Sequence, residues 1–330
     1  MGLKTGEKGE KYYMQIVVLD AKTLRTEELD LSPWRALGTL SLYDRTDPML
    51  IPQRLRGADV VLTNKAPLAA DALKGATALK MIGVLATGYD VVDVQAAREL
   101  GIPVCNVPGY ATGSVTESVF GFLLEMTRHT AFSTSRIRQG AWTACPEFCW
   151  WEKTPLALEG RTMGIVGCGA IGSRVAGVAR AFGMRVLGYA RHAHPDFPGE
   201  QVPLERLLKE ADVISLHCPA TAENAGCINA ETIERMKDGA LLINTARGSL
   251  VNESDVAEAL VSGKLGGYGA DVLSREPMDI HTPLLKAPNC YLTGHCAWAT
   301  VEARQRIVDV TAENIRAALA GRPVHTVNLG

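Results

Sequence analysis

Short runs of consecutive apolar residues recur along almost the whole chain, and the stretches between them carry apolar positions at helical spacing. The first runs are MQIVVLD, ADVVLTN, LKMIGVL and IPVCNV; a second series is TMGIVG, MRVLGYA, DVISLH, ALLINTA, GYGADVL and CYLTGH. Continuous rather than alternating runs predict strands covered by helices on both faces, and their alternation with helical stretches predicts parallel α/β sheets. Two series predict two sheets. Between them, residues 114–140 place Val115, Val119, Phe122, Leu123 and Met126 at helical spacing, with Gly140 as a stop, which predicts one helix joining the two units. The segment AWTACPEFCWWEKTPLALEG has little periodicity. Its tryptophans Trp142, Trp150 and Trp151 either fold back onto their own domain or form a subunit-contact arm. A last helix, VEARQRIVDVTAENIRAALAG, stops at Gly321 before Pro323, and no regulatory domain is expected after it.

Composition narrows the partners. A chain of 330 residues, 47% hydrophobic and 21% charged, suits two domains. A net charge of -2 gives no broad positive field, which excludes nucleic acid and anionic membranes and leaves a small molecule. The 8 cysteines are scattered without a CxxC pair, so buried reduced thiols, no metal site and a reducing cytoplasm are expected. The start, MGLKTGEKGEKYY, is polar and reads as a disordered leader or an extraneous remnant, and no apolar run approaches the roughly 18 residues of a membrane span.

The chemistry begins at TMGIVGCGAIGSRVAGVARAFG. Gly167, Gly169 and Gly172 follow a strand and open a helix: the first permits a tight turn, the second lets backbone approach a pyrophosphate, the third packs helix on strand. Ala170, Ile171 and Gly172 then present free N–H groups at the positive end of the helix dipole. A dinucleotide is the expected ligand. The next strand ends in Ala190 and Arg191, where a carboxylate usually holds the ribose hydroxyls of NAD and would repel the 2′-phosphate of NADP. With that acid absent and Arg191 adjacent, helped by His194, NADP is the expected cofactor and NAD the alternative.

Three residues stand at later strand ends, where ligands of open sheets collect. Arg247, after ALLINTA, offers a fork of donors for a carboxylate; the plain alternative is a surface arginine at a helix start, which the dipole disfavours. His295 is the histidine best placed for proton transfer, although a lone histidine in an apolar strand is more often structural. Glu276, if it reached the imidazole, would fix its tautomer and favour the protonated ring; Glu276-Pro277 could equally be a solvated turn.

Arg247 in NTARGSLVNESDVAEAL, Glu276 in GADVLSREP and His295 in TGHCAWAT, behind GIVGCGAIG, resemble the D-isomer-specific 2-hydroxyacid dehydrogenases. The likeness takes in LATGYDVVD and NVPGYATGSVTESVFGFLL and runs from about residue 60 to 320; NVPGYAT, PEFCWW, LALEGRTMGIVG and Trp298 look most like the hydroxypyruvate reductase or glycerate dehydrogenase branch. The family's usual Pro before the histidine is Gly294 here, and its usual Leu in HxPLT is Ala220. The resemblance implies two Rossmann-like doubly wound domains with an interdomain active-site cleft: a substrate domain of residues 1–108 and 299–330, and a dinucleotide domain of residues 109–298. It also implies a homodimer joined through the cofactor domain. By the same resemblance His295, Glu276 and Arg247 are catalytic, and Arg247, Ala86, Thr87, Gly88, Lys65 and Trp298 meet the substrate. Asp271 would hold the nicotinamide amide with the backbone of Thr245, Val115 would pack near the ring, and Cys218 and Pro219 would border the cofactor. Other members, such as D-lactate or phosphoglycerate dehydrogenases, and a cofactor-sensing corepressor on the same scaffold remain open.

Overall fold

The computed structural model of the chain describes residues 14–329; the polar start, expected to be a leader, lies outside the described residues. The chain divides into two compact units, one built from the segment up to Tyr110 and that from Ala299 on, the other from Ala111–Trp298.

The first unit holds a parallel sheet of β1 (Gln15–Val18), β2 (Thr39–Leu42), β3 (Val60–Thr63), β4 (Met81–Val84) and β5 (Val104–Cys105), in the order β2-β1-β3-β4-β5. Every residue of β3 and β4 is buried, as continuous apolar runs require. The edge strand β2 has no buried residue, which is why no apolar run marks it. The helix Val301–Leu319 covers this sheet with Ile307, Val308, Thr311 and Ile315. Trp34, fully buried, donates its indole N–H to Val308 O at 2.9 Å and so ties the start of the unit to its end.

The second unit holds β6 (Thr162–Val166), β7 (Arg185–Tyr189), β8 (Glu200–Gln201), β9 (Val213–Leu216), β10 (Ala240–Asn244), β11 (Leu265–Ala270) and β12 (Cys290–Leu292). All pair in parallel, in the order β12-β11-β10-β9-β6-β7-β8. The chain enters at β6, winds outward through β7 and β8, and returns to the other side of β6 at β9, so the loops after β6 and β9 flank the point of reversal. Both units are therefore doubly wound parallel α/β sheets. The glycines of β11 have a packing role: a Cβ at Gly269 would lie 2.7 Å from Phe122 Cβ, and one at Gly267 2.8 Å from Met126 Sδ. Their absence lets the helix Thr112–Arg128 settle directly onto the strand.

The single helix expected over residues 114–140 is two helices, Thr112–Arg128 and Thr130–Arg138, broken at His129. His129 is left-handed (φ 53°, ψ 38°), and its N–H closes the first helix on Glu125 O at 3.0 Å. The apolar stripe that grips the sheet ends at Met126 and Thr127, and the second helix buries no residue. The tryptophan segment folds back only in part: Trp150 is half-buried, whereas Trp142, Trp151 and Phe148 are 46%, 59% and 90% exposed. All eight cysteines are free, but only Cys105 and Cys168 are buried, where desolvation pushes their thiols up to about 11; Cys296 is exposed because it sits in a strand-end loop. Among the described residues no helix is long and apolar enough to cross a membrane, and no group of three or more His, Cys, Asp or Glu is set to hold a metal ion.

Candidate active site

The glycine loop lies at the carboxyl end of β6. Gly167 has φ 105°, and a Cβ there would stand 2.5 Å from Cys218 N, so only glycine permits this contact with the loop after β9. A Cβ at Gly172 would stand 2.0 Å from Gly167 O, whereas one at Gly169 would meet no atom within 4 Å. The middle glycine therefore faces open space that a side chain would fill. The helix Ala170–Ala181 begins there without a side-chain cap, and Ser173 N is the first to bond back, to Gly169 O at 2.8 Å. The N–H groups of Ala170, Ile171 and Gly172 precede the ladder and point outward, a setting made for phosphate. Cys218 and Pro219 border the loop on the β9 side, where Pro219 O accepts from Asn224 Nδ2 at 2.9 Å. Thr245, just beyond β10, keeps a buried hydroxyl with no partner among the described residues. An open cradle, outward amides and an orphaned hydroxyl along one sheet edge fit a dinucleotide.

At the end of β7, Arg191 is exposed and its Nη1 lies 3.6 Å from Glu223 Oε2, in the loop after β9. Glu223 carried no signal in the sequence, because nothing local links it to Arg191. His194 is held by its main chain, which exchanges bonds of 3.0 and 2.9 Å with the Gln201 amide.

Arg247, Asp271 and His295 follow β10, β11 and β12, three neighbouring strands, so one edge of one sheet collects them. His295 Nδ1 lies 2.6 Å from Glu276 Oε2. The carboxylate accepts from Nδ1–H, which leaves Nε2 as the ring atom that can exchange a proton. Glu276 is fixed in turn, its Oε1 accepting from Leu273 N at 3.1 Å. His295 itself is left-handed (φ 52°), with its N–H on Asp271 O at 2.7 Å. Asp271 is buried, and its carboxylate accepts from Thr293 Oγ1 (2.6 Å), Cys296 N (2.8 Å) and Ala297 N (2.9 Å). Trp298 donates its indole N–H to His295 O at 2.9 Å, and the Ser114 hydroxyl donates to Ala297 O. Val115, next to Ser114, is buried in the same helix. By contrast His217, whose Nε2 lies 2.9 Å from Ser215 Oγ, is driven towards its neutral form by burial and has a structural place.

Arg247 is exposed on an extended backbone, its loop pinned by the buried Asn244, whose Nδ2 donates to Arg247 O at 2.9 Å and whose Oδ1 accepts from Ala246 N at 3.0 Å. The next residue explains how this loop meets the one carrying Glu276. A Cβ at Gly248 would fall 1.9 Å from Leu273 C, so the peptide 273–274 occupies the place of a side chain. The glycine after the arginine was the signal in the sequence for this approach.

In the first unit, Ala86, Thr87 and Gly88 follow β4. Thr87 O accepts from Asn106 Nδ2 at 2.8 Å, and Thr87 Oγ1 donates to Val107 O at 2.9 Å. Lys65 follows β3 in a loop whose amides at Asn64 and Ala66 donate to the buried Asp20 carboxylate at 3.0 and 2.9 Å. Lys65 lines a cavity of about 340 Å³ with Lys22 and Arg45. Neither Asp20 nor Asn106 carried a signal in the sequence.

Residues 120–297 match the family described as D-isomer specific 2-hydroxyacid dehydrogenase, NAD binding domain. The chain is 41% identical to a hydroxypyruvate reductase of Blautia hydrogenotrophica over 96% of this chain and 100% of that protein. It is 41% identical to a glycerate dehydrogenase of Methylorubrum extorquens over 86% of this chain and 90% of that protein. A solved structure from Thermus thermophilus matches with a TM-score of 0.84 at 37% identity, covering 95% of this chain and all of that one (100%).

The three glycines should separate in behaviour. Gly169 has φ -71°, which alanine adopts, so Gly169→Ala should keep the thermal midpoint while filling the cradle and weakening dinucleotide binding by about tenfold or more. Gly172→Ala, which drives a methyl into Gly167 O, should lower the midpoint by several degrees. Calorimetric titration beside a melting curve checks both; equal dinucleotide affinity in Gly169→Ala and the native protein would remove the loop from the binding site.

Proposed function

The chain belongs to the D-isomer-specific 2-hydroxyacid dehydrogenases, oxidoreductases that move a hydride between a nicotinamide and small 2-hydroxy or 2-keto acids, and from that premise we propose reduction of hydroxypyruvate or glyoxylate as its activity. The observation that carries the mechanism is the 2.6 Å contact between His295 and Glu276 at the carboxyl edge of the second sheet. When bound, the nicotinamide supplies the hydride. Protonated His295 donates from Nε2 to the ketone oxygen, and Glu276 stabilises the imidazolium before that transfer and holds the tautomer after it. Arg247 grips the substrate carboxylate with its fork of donors and polarises the adjacent carbonyl. Asp271 has three protein donors on its carboxylate, and its remaining acceptor site is the one we assign to the nicotinamide amide, together with the backbone of Thr245, with Val115 assigned to the ring. In the first unit, the amides of Ala86, Thr87 and Gly88 are assigned to a substrate carboxylate oxygen, and Lys65 to the substrate; Trp298 is assigned to the substrate in the second.

We propose NADP(H) as the preferred cofactor, with the phosphate on Arg191, because Ala190 presents no carboxylate there. The free thiols go with a reducing cytoplasm. The exposed Trp142, Phe148 and Trp151 support a homodimer formed through the second unit.

His295→Ala should lower kcat for keto-acid reduction by about 100-fold or more while cofactor affinity stays within about twofold. Arg247→Lys should raise KM and lower kcat, since an ammonium has no planar two-point grip. A panel of hydroxypyruvate, glyoxylate, pyruvate and phosphohydroxypyruvate ranks the substrates; turnover of none would leave a binding protein.

Arg191→Ala should lower kcat/KM for NADPH by about tenfold and change the NADH value little. A native preference for NADH would end the NADP(H) preference, and an unchanged NADPH value in Arg191→Ala would remove the phosphate site.

Native protein should sediment at twice the chain's mass, and Phe148→Glu with Trp151→Glu should give monomers. A native monomer would end the dimer reading.

A further inference from the structure

The strand that ends at Tyr189 lacks an acid at its tip, yet a carboxylate stands beside that tip. It comes from another loop. In the sheet β7 and β9 flank β6, so the loops after β7 and β9 approach each other across the glycine loop. Arg191 supplies the cation from one and Glu223 the anion from the other, 3.6 Å apart. We propose that Glu223 is a cofactor-selectivity residue: it stands in for the missing strand-end acid and competes with a 2′-phosphate for Arg191.

Glu223 is held in place by its turn rather than by Arg191. Thr221 N donates to Asn224 Oδ1 at 2.7 Å, Asn224 Nδ2 to Pro219 O at 2.9 Å, and Cys227 N to Asn224 O at 3.1 Å, so the backbone on either side is fixed. The other end is fixed as well, by the two bonds between Gln201 and the main chain of His194. Glu200 is taken by Arg185 and Arg206, and Arg191 pairs with Glu223 rather than with Asp196, the acid nearest to it in sequence. Side chains on pinned loops, 62% and 84% exposed, can separate without disturbing the fold. An unphosphorylated ribose leaves the pair intact and offers its hydroxyl to Glu223. A phosphorylated one must take the guanidinium from Glu223 and then lie close to an unpaired carboxylate. The residue thus acts against the preference that Arg191 creates, and the balance of the two makes selectivity shallow.

The inference rests on the proposed placing of the adenosine ribose at the tip of β7. Its test is direct binding, by calorimetric titration of NADPH and NADH into native protein, Glu223→Gln, Arg191→Ala and the double variant. Glu223→Gln should raise the ratio of the NADH Kd to the NADPH Kd by roughly two- to fivefold, the scale of an exposed charge pair. In the Arg191→Ala background the same substitution should move the ratio by a smaller factor, since the contested cation is gone and only the carboxylate's own effect on phosphate and ribose remains. Raising salt from about 0.05 M to about 0.5 M should shrink the shift. An unchanged ratio in Glu223→Gln, or an equal shift with and without Arg191, would overturn the competition. A native preference for NADH would sink the NADP assignment alone, because Glu223 is judged by the change between native and variant.

Discussion

The buried carboxylate of Asp271 is the constraint around which the candidate active site is arranged. A carboxylate removed from water must find donors or become prohibitively unstable. It finds them in the Thr293 hydroxyl and the amides of Cys296 and Ala297, while its own main-chain oxygen takes the amide of His295. Satisfying one charge therefore bends the chain after β12 into a closed loop. His295 accepts a left-handed backbone within it, a conformation unusual for a residue with a Cβ. The imidazole then faces Glu276, and Trp298 locks the carbonyl behind it. Proton transfer depends on geometry to a fraction of an ångström, and here the geometry follows from electrostatic necessity.

Parallel pairing does the rest of the assembly. Because β10, β11 and β12 run the same way, their carboxyl ends share an edge, and residues distant in the chain meet without a dedicated scaffold. Glycines set the spacing. Gly248 lets the Arg247 loop press on the 273–274 peptide, and Gly267 and Gly269 let a helix bed onto β11. The glycine-loop end of the same sheet works likewise, with Gly167 bringing the loops after β6 and β9 into contact.

What the sequence made legible was whatever is local. The glycine loop, the apolar runs and the strand-end positions of Arg247 and His295 are all patterns within a short window, whereas Asp271 was marked by the family resemblance alone. The edge strands β2 and β8 escaped because they bury nothing and so carry no apolar run. The break at His129 escaped because the helix stops where its packing surface stops, and that surface belongs to another element. Asp20, Asn106 and Glu223 escaped for a common reason: their importance lies in a partner loop, and polar residues near strand ends look alike until the sheet order decides which loops are neighbours.

The first unit is discontinuous, and this has a consequence for how the protein comes into being. Trp34 and Val308, joined by a buried bond, are separated by 274 residues. At a synthesis rate of roughly 5–20 residues per second, the helix that covers the first sheet is made about a quarter of a minute to a minute after the tryptophan it receives. All of Ala111–Trp298 emerges in that interval and has every strand of its own sheet at hand. The unit begun second is the one that can finish first, and the opening strands must wait on the ribosome with an apolar face uncovered until the last helix arrives.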